Sequence, residues 1–223
     1  LKSFLSLLKK ELRLMGRASN GILSLVVLVS AMVFLFHFAL ERNGKMDRVT
    51  LIGLKWAVLF VASFVLIGQF TWEEREAGGG TASRLFLPAW VLFLSKSFLV
   101  FLALSGTGIY LLGLFALFFA AFPWEVAEFG KQLVFFLPGI LSLSFLGVAL
   151  SHVSLSSRLK EILLPLLLVP FSVPIFLYGM EAERKLVSQS FFALKGSLGL
   201  LLAFSVFYAS LGALLVEMTS DDE

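Results

Sequence analysis

Apolar residues along this chain come in long unbroken runs. Six can be cut out: Gly21–Leu40, Val49–Phe70, Ser97–Ala120, Leu133–Ser151, Ile162–Gly179 and Gly196–Val216. Each is close to the roughly 20 residues that an α-helix needs to cross about 30 Å of hydrocarbon. Barrel strands would instead show period-two alternation over about ten residues. Leu-Ser-Leu-Val-Val-Leu-Val (23–29) and Ile-Leu-Leu-Pro-Leu-Leu-Leu-Val (162–169) are apolar almost throughout. The pattern predicts an all-α integral membrane protein with six transmembrane helices.

The polar positions say the same. Of 18 Lys+Arg and 15 Asp+Glu, only Lys55 falls within a run. A charge at the bilayer centre costs at least about 2.5–3.5 kcal/mol, and this segregation is what that cost selects. Lys55 stands near the start of its run, where its stem is expected to snorkel to the interface. Hydrophobic residues make up 59% of the chain and charged ones 15%. Soluble domains hold about 45–50% and about 25%, so a water-soluble enzyme is excluded.

Ahead of the first run, Phe4, Leu5, Leu8, Leu12 and Met15 share one arc of a helical wheel. Lys2, Lys9, Lys10, Arg13 and Arg17 share the opposite one. Residues 1–20 therefore read either as an amphipathic interfacial helix lying along anionic headgroups or as a simple topogenic flank. Six spans put both termini on one side. Placing them inside gives ten of the 18 basic residues to the cytoplasm, and the five ahead of the first span favour that choice. The chain begins with Leu, which suggests a non-standard start or a trimmed end. No cleavable signal peptide is expected, because the first run is long and lacks a small-residue cleavage site.

Chemistry-bearing residues are few. With no cysteine, the chain has no disulfide, thiolate metal site or cysteine nucleophile. A net charge of +3 is too small and dispersed to suggest nucleic acid. His37 and His152 fall near opposite membrane faces, so a shared metal or haem site is not expected from them. No G-x-x-x-x-G-K-[ST] phosphate loop exists, so any ATP must bind another chain. No Asp, Glu or His stands mid-span, which argues against an ion-coupled carrier acting alone.

The longest connection, residues 71–96, faces the cytoplasm in this topology. Glu73, Glu74 and Glu76 close the second run, Gly78–Gly80 release the backbone, and Thr81 can cap a short helical piece stopped by Pro88. This is either a docking knob for a soluble partner or a solvated loop. Pro165, Pro170 and Pro174 punctuate the fifth span and predict a kinked or mobile helix, or a static bend. Ser205, Ala209 and Ala213, with Gly212 beside them, form a small-residue stripe on the sixth that permits close helix approach.

Three places together resemble the CcmB family, the permease of the cytochrome c maturation ABC transporter, also called haem exporter protein B. One is Lys10-Glu11-Leu12-Arg13. Another is Phe70, Glu73 and Glu76, then Gly78, with Leu85-Phe86-Leu87-Pro88 beyond. The third and most specific is the stretch from Arg158 through Pro165 to Pro170, with Pro174 following. Departures are glutamates where the family favours aspartates, and Ala77 where it has glycine.

The resemblance implies an ABC-2-type permease architecture in the bacterial inner membrane, with no enzyme activity of its own. It implies a separate CcmA-like ATPase that holds the ATP, CcmC-like and CcmD-like membrane partners, and indirectly the haem chaperone CcmE. ATP hydrolysis would drive release of that haem-loaded chaperone. This chain would bind no cofactor, with haem as a candidate cargo. Phe70, Glu73, Glu76, Gly78, Arg84 and Pro88 would form the ATPase coupling loop, and Pro165, Pro170 and Pro174 a conformational element. The residues leave open a permease for a lipid, drug or polysaccharide, and a scaffold that transports nothing.

Overall fold

The computed structural model describes residues 19–41, 47–76, 88–120, 126–156, 160–186 and 194–220. The expected interfacial helix, Gly78 and Arg84 lie outside these residues. Six long helices account for nearly all of the described chain. They are α1 (Ser19–Glu41), α2 (Arg48–Glu76), α3 (Ala89–Phe118), α4 (Val126–Ser156), α5 (Lys160–Leu186) and α6 (Lys195–Ser220). All six are long and apolar enough to cross a membrane.

Successive helices run in opposite directions. One end of the bundle gathers the start of α1, the end of α2 and the start of α3; we call it the Glu76 end. The start of α2, the start of α4 and the end of α5 gather at the other, the Lys55 end. Both shoulders of the expected 71–96 connection are helical. The second helix continues from Phe70 to Glu76, and the third begins at Ala89, well before Ser97. Pro88 serves as its N-cap with an extended backbone (φ −58°, ψ 144°), and its carbonyl accepts the amides of Val91 and Leu92. A proline can begin a helix but not continue one at no cost.

The bundle centres on α4. Its most apolar window is 67% buried, against 17% for α1 at the periphery. The central helix packs against α2, α3, α5 and α6, while α1 rests on α2 and α3. Side-chain hydrogen bonds cross these seams, as expected where lipid provides no competing water. Gln69 Nε2 donates to Ser24 Oγ at 2.9 Å, and Ser30 Oγ meets the Tyr110 hydroxyl at 2.8 Å. On the small-residue stripe of α6, Ser205 Oγ lies 2.8 Å from Ser142 Oγ and donates to the Pro138 carbonyl at 3.2 Å. Farther along, a Cβ on Gly212 would meet Phe93 at 2.3 Å, so the absent side chain makes room for that ring.

The fifth helix runs unbroken from Lys160 to Leu186 through Pro165, Pro170 and Pro174. The Tyr208 hydroxyl donates to the Phe171 carbonyl at 2.6 Å, holding α6 to the turn between the last two prolines. Pro138, inside α4, is a further interior proline.

Candidate functional site: a buried ion pair at the Lys55 end

The second helix buries a continuous stripe. Leu51, Ile52, Lys55, Trp56, Val58, Leu59, Ala62, Ser63, Leu66 and Ile67 recur at three- and four-residue spacing, and all face the bundle. Lys55 stands near the start of that stripe, one turn after Leu51. The expectation that it snorkels to the interface is overturned: the side chain is fully buried and forms an ion pair with Glu183 of α5. The reason is rotational. Lys55 lies about 10 Å along the axis from Arg48 at about 1.5 Å per residue, but its Cα–Cβ bond points at α4 and α5 rather than at lipid.

Lys55 Nζ also donates to Gln132 Oε1 of α4 at 3.1 Å and stands 4.9 Å from the centroid of the Phe136 ring. One ammonium therefore ties three helices together. Glu183 is 2% exposed, so the pair is closed off from both lipid and solvent. Both residues fall within membrane-spanning helices, Lys55 seven residues after Arg48 and Glu183 three before Leu186, so neither stands mid-span.

Trp56, the next residue, positions the pair. Its indole is wedged between two glycines on different helices. A Cβ on Gly139 of α4 would come within 2.5 Å of Cη2, and one on Gly179 of α5 within 2.5 Å of Cζ2. Phe136 and Phe176 meet the indole edge-on, with centroids 5.1 and 5.7 Å away. Such edge contacts add about 0.5–1.5 kcal/mol beyond area burial. Among the described residues, Trp56 Nε1 and Glu183 Oε1 make no well-formed hydrogen bond, although the indole N–H acts on the Glu183 carboxylate. A second apolar cluster of Phe135, Ala182, Leu186, Leu194 and Leu201 packs α4, α5 and α6 at the same end.

Sequence reasoning missed Glu183 because the apolar run ends at Gly179. A signal was present nonetheless. Leu164, Leu168, Ser172, Ile175, Gly179, Ala182, Glu183 and Leu186 form one buried stripe at helical spacing that passes through the charged segment. Glu183 falls on the stripe, whereas Glu181, Arg184 and Lys185 do not and pair loosely among themselves.

The residues expected to couple to an ATPase lie at the opposite end. Phe70 is half-buried against the main core. Glu73 and Glu76 stand on the last two turns of α2, and Pro88 at the start of α3. The prolines of α5 lie between the two ends, and Pro174 precedes Glu183 by about two and a half turns. His37, beside Phe118 and Phe119, belongs to the Lys55 end, and His152, late in α4, to the Glu76 end. Among the described residues no three His, Cys, Asp or Glu side chains gather to hold a metal.

Comparison with known proteins agrees with this architecture. A family model described as CcmB protein matches residues 2–217. No curated protein matches the chain. A match over nearly the whole length, on a bundle of six membrane-crossing helices, settles the family: the chain belongs to the CcmB family, a membrane component of the haem-export ABC system.

Proposed function

We propose that this chain is the permease subunit of that system in the bacterial inner membrane, with both termini in the cytoplasm. ATP is hydrolysed on a separate CcmA-like subunit, in keeping with the lack of a phosphate-loop motif here. CcmC-like and CcmD-like membrane proteins complete the assembly, and the work done releases the haem-loaded chaperone CcmE. Haem is the candidate cargo.

One observation carries the coupling step: the second helix does not stop at the apolar boundary. It continues through Glu73 to Glu76, while Phe70 and the buried stripe behind it are locked into the core. A helix of 29 residues is a rod of about 43 Å. A displacement applied at its acidic end is therefore carried to Trp56 and Lys55. Acidic residues at a helix C-terminus oppose the helix dipole, so stability gives no reason for them there, whereas a basic partner surface does. Replacing Glu73 and Glu76 together by alanine is expected to lower both co-purification with the ATPase and stimulated hydrolysis by about tenfold, the scale of one lost charged contact. Wild-type values in both assays would contradict this role.

A further inference from the structure

We propose that the Lys55–Glu183 pair, with Gln132, is a latch that closes the outer half of α5 onto α2, and that its release opens the seam between those helices. This deepens the coupling reading above, since α2 is the rod that reaches the latch.

Four observations bear on it. First, a buried ion pair pays a desolvation penalty that well-packed apolar residues of similar volume avoid. Holding three helices together does not require it, and the neighbouring contacts of Trp56 with Gly139 and Gly179 already do so without charge. Second, the α2–α5 seam next to the pair is not packed shut. A groove of about 240 Å³ runs along it, between residues 53–60 of α2 and 169–180 of α5. Trp56, Phe60, Phe176 and Met180 line it, and Ala57 and Val173 stand exposed at its mouth.

Third, α5 is the compliant partner. Pro165, Pro170 and Pro174 each remove a backbone donor, so it bends at lower cost than the other helices. Beyond Pro174 it is held to α2 by Gly179 against Trp56 and Glu183 against Lys55. Fourth, the Trp56 indole N–H acts on the Glu183 carboxylate, yet among the described residues Trp56 Nε1 and Glu183 Oε1 make no well-formed hydrogen bond, so the charged joint is held chiefly by Lys55 and Gln132.

The chain has no cysteine, so a spin-label pair at Ala57→Cys and Val173→Cys reports the groove width directly. The measurement uses the full purified chain in lipid nanodiscs without an ATPase, so its result stands whether or not Glu73 and Glu76 contact one. In the otherwise native chain a single narrow distance is expected. Breaking the pair at one end, Lys55→Met, leaves the Glu183 carboxylate buried and unpaired and is expected to raise a longer-distance population about tenfold. The exchanged pair Lys55→Glu with Glu183→Lys is expected to restore the narrow distance. If Lys55→Met does not fold, Gln132→Leu serves as the milder variant, with a smaller rise in the same population expected. An unchanged single distance in Lys55→Met, or in Gln132→Leu where Lys55→Met does not fold, would overturn the latch.

Discussion

A methyl group at position 179 would fall 2.5 Å from an indole carbon of Trp56, and the indole cannot retreat because Gly139 closes its other side. Gly179→Ala is therefore expected to destabilise the bundle by about 1–3 kcal/mol, the usual range for overpacking. A thermal unfolding midpoint in detergent checks this, and Trp56→Phe in the same chain should recover much of the loss by vacating the slot. Gly147 gives a contrast. Its Cβ would strike the tip of Ile67, at 2.0 Å from Cδ1, and that tip can change rotamer. This scale was the least legible in the sequence. Hydropathy shows that a span exists but not which way a side chain turns, so Lys55 read as a snorkelling residue. Only the helical period of the buried stripe, carried past the apolar boundary to Leu186, identifies Glu183 as its partner.

Among elements, the seam between α4 and α6 rests on short polar contacts between serines. Ser205 Oγ reaches Ser142 Oγ, the Leu201 carbonyl at 3.1 Å and the Pro138 carbonyl at 3.2 Å. Ser205→Ala is expected to cost only about 0.6 kcal/mol, the average for such bonds between membrane helices. Removing both hydroxyls, Ser142→Ala with Ser205→Ala, should cost less than twice that, because the two share one interaction; a double-mutant cycle on unfolding midpoints measures the difference. The number and order of helices were legible because uncharged runs of spanning length leave few alternatives. Helix ends were less so. The sequence marks where apolar residues stop, and hydrogen bonding carried α2 on through Glu76 and began α3 at Ala89. The small-residue stripe on α6 was legible as a close-packing face, and its partners, Ser142 and Pro138 on α4 and Phe93 on α3, appear only in three dimensions.

At the scale of the whole molecule, the described residues form a six-helix bundle with two chemically distinct ends: acids at the end of α2, and a buried ion pair toward the opposite end. The family match places it within a haem-export ABC system, and the proposed coupling has the drive enter at the Glu76 end and the response follow near Lys55. The measurement that tests this most directly is the sidedness of the two ends. Single cysteines at Glu76 and at Lys45, in a chain otherwise free of cysteine, can be treated in intact cells with a membrane-impermeant thiol reagent. The account predicts labelling of position 45 from outside and of position 76 only after the membrane is opened. Labelling of position 76 in intact cells, or identical behaviour of the two sites, would contradict it.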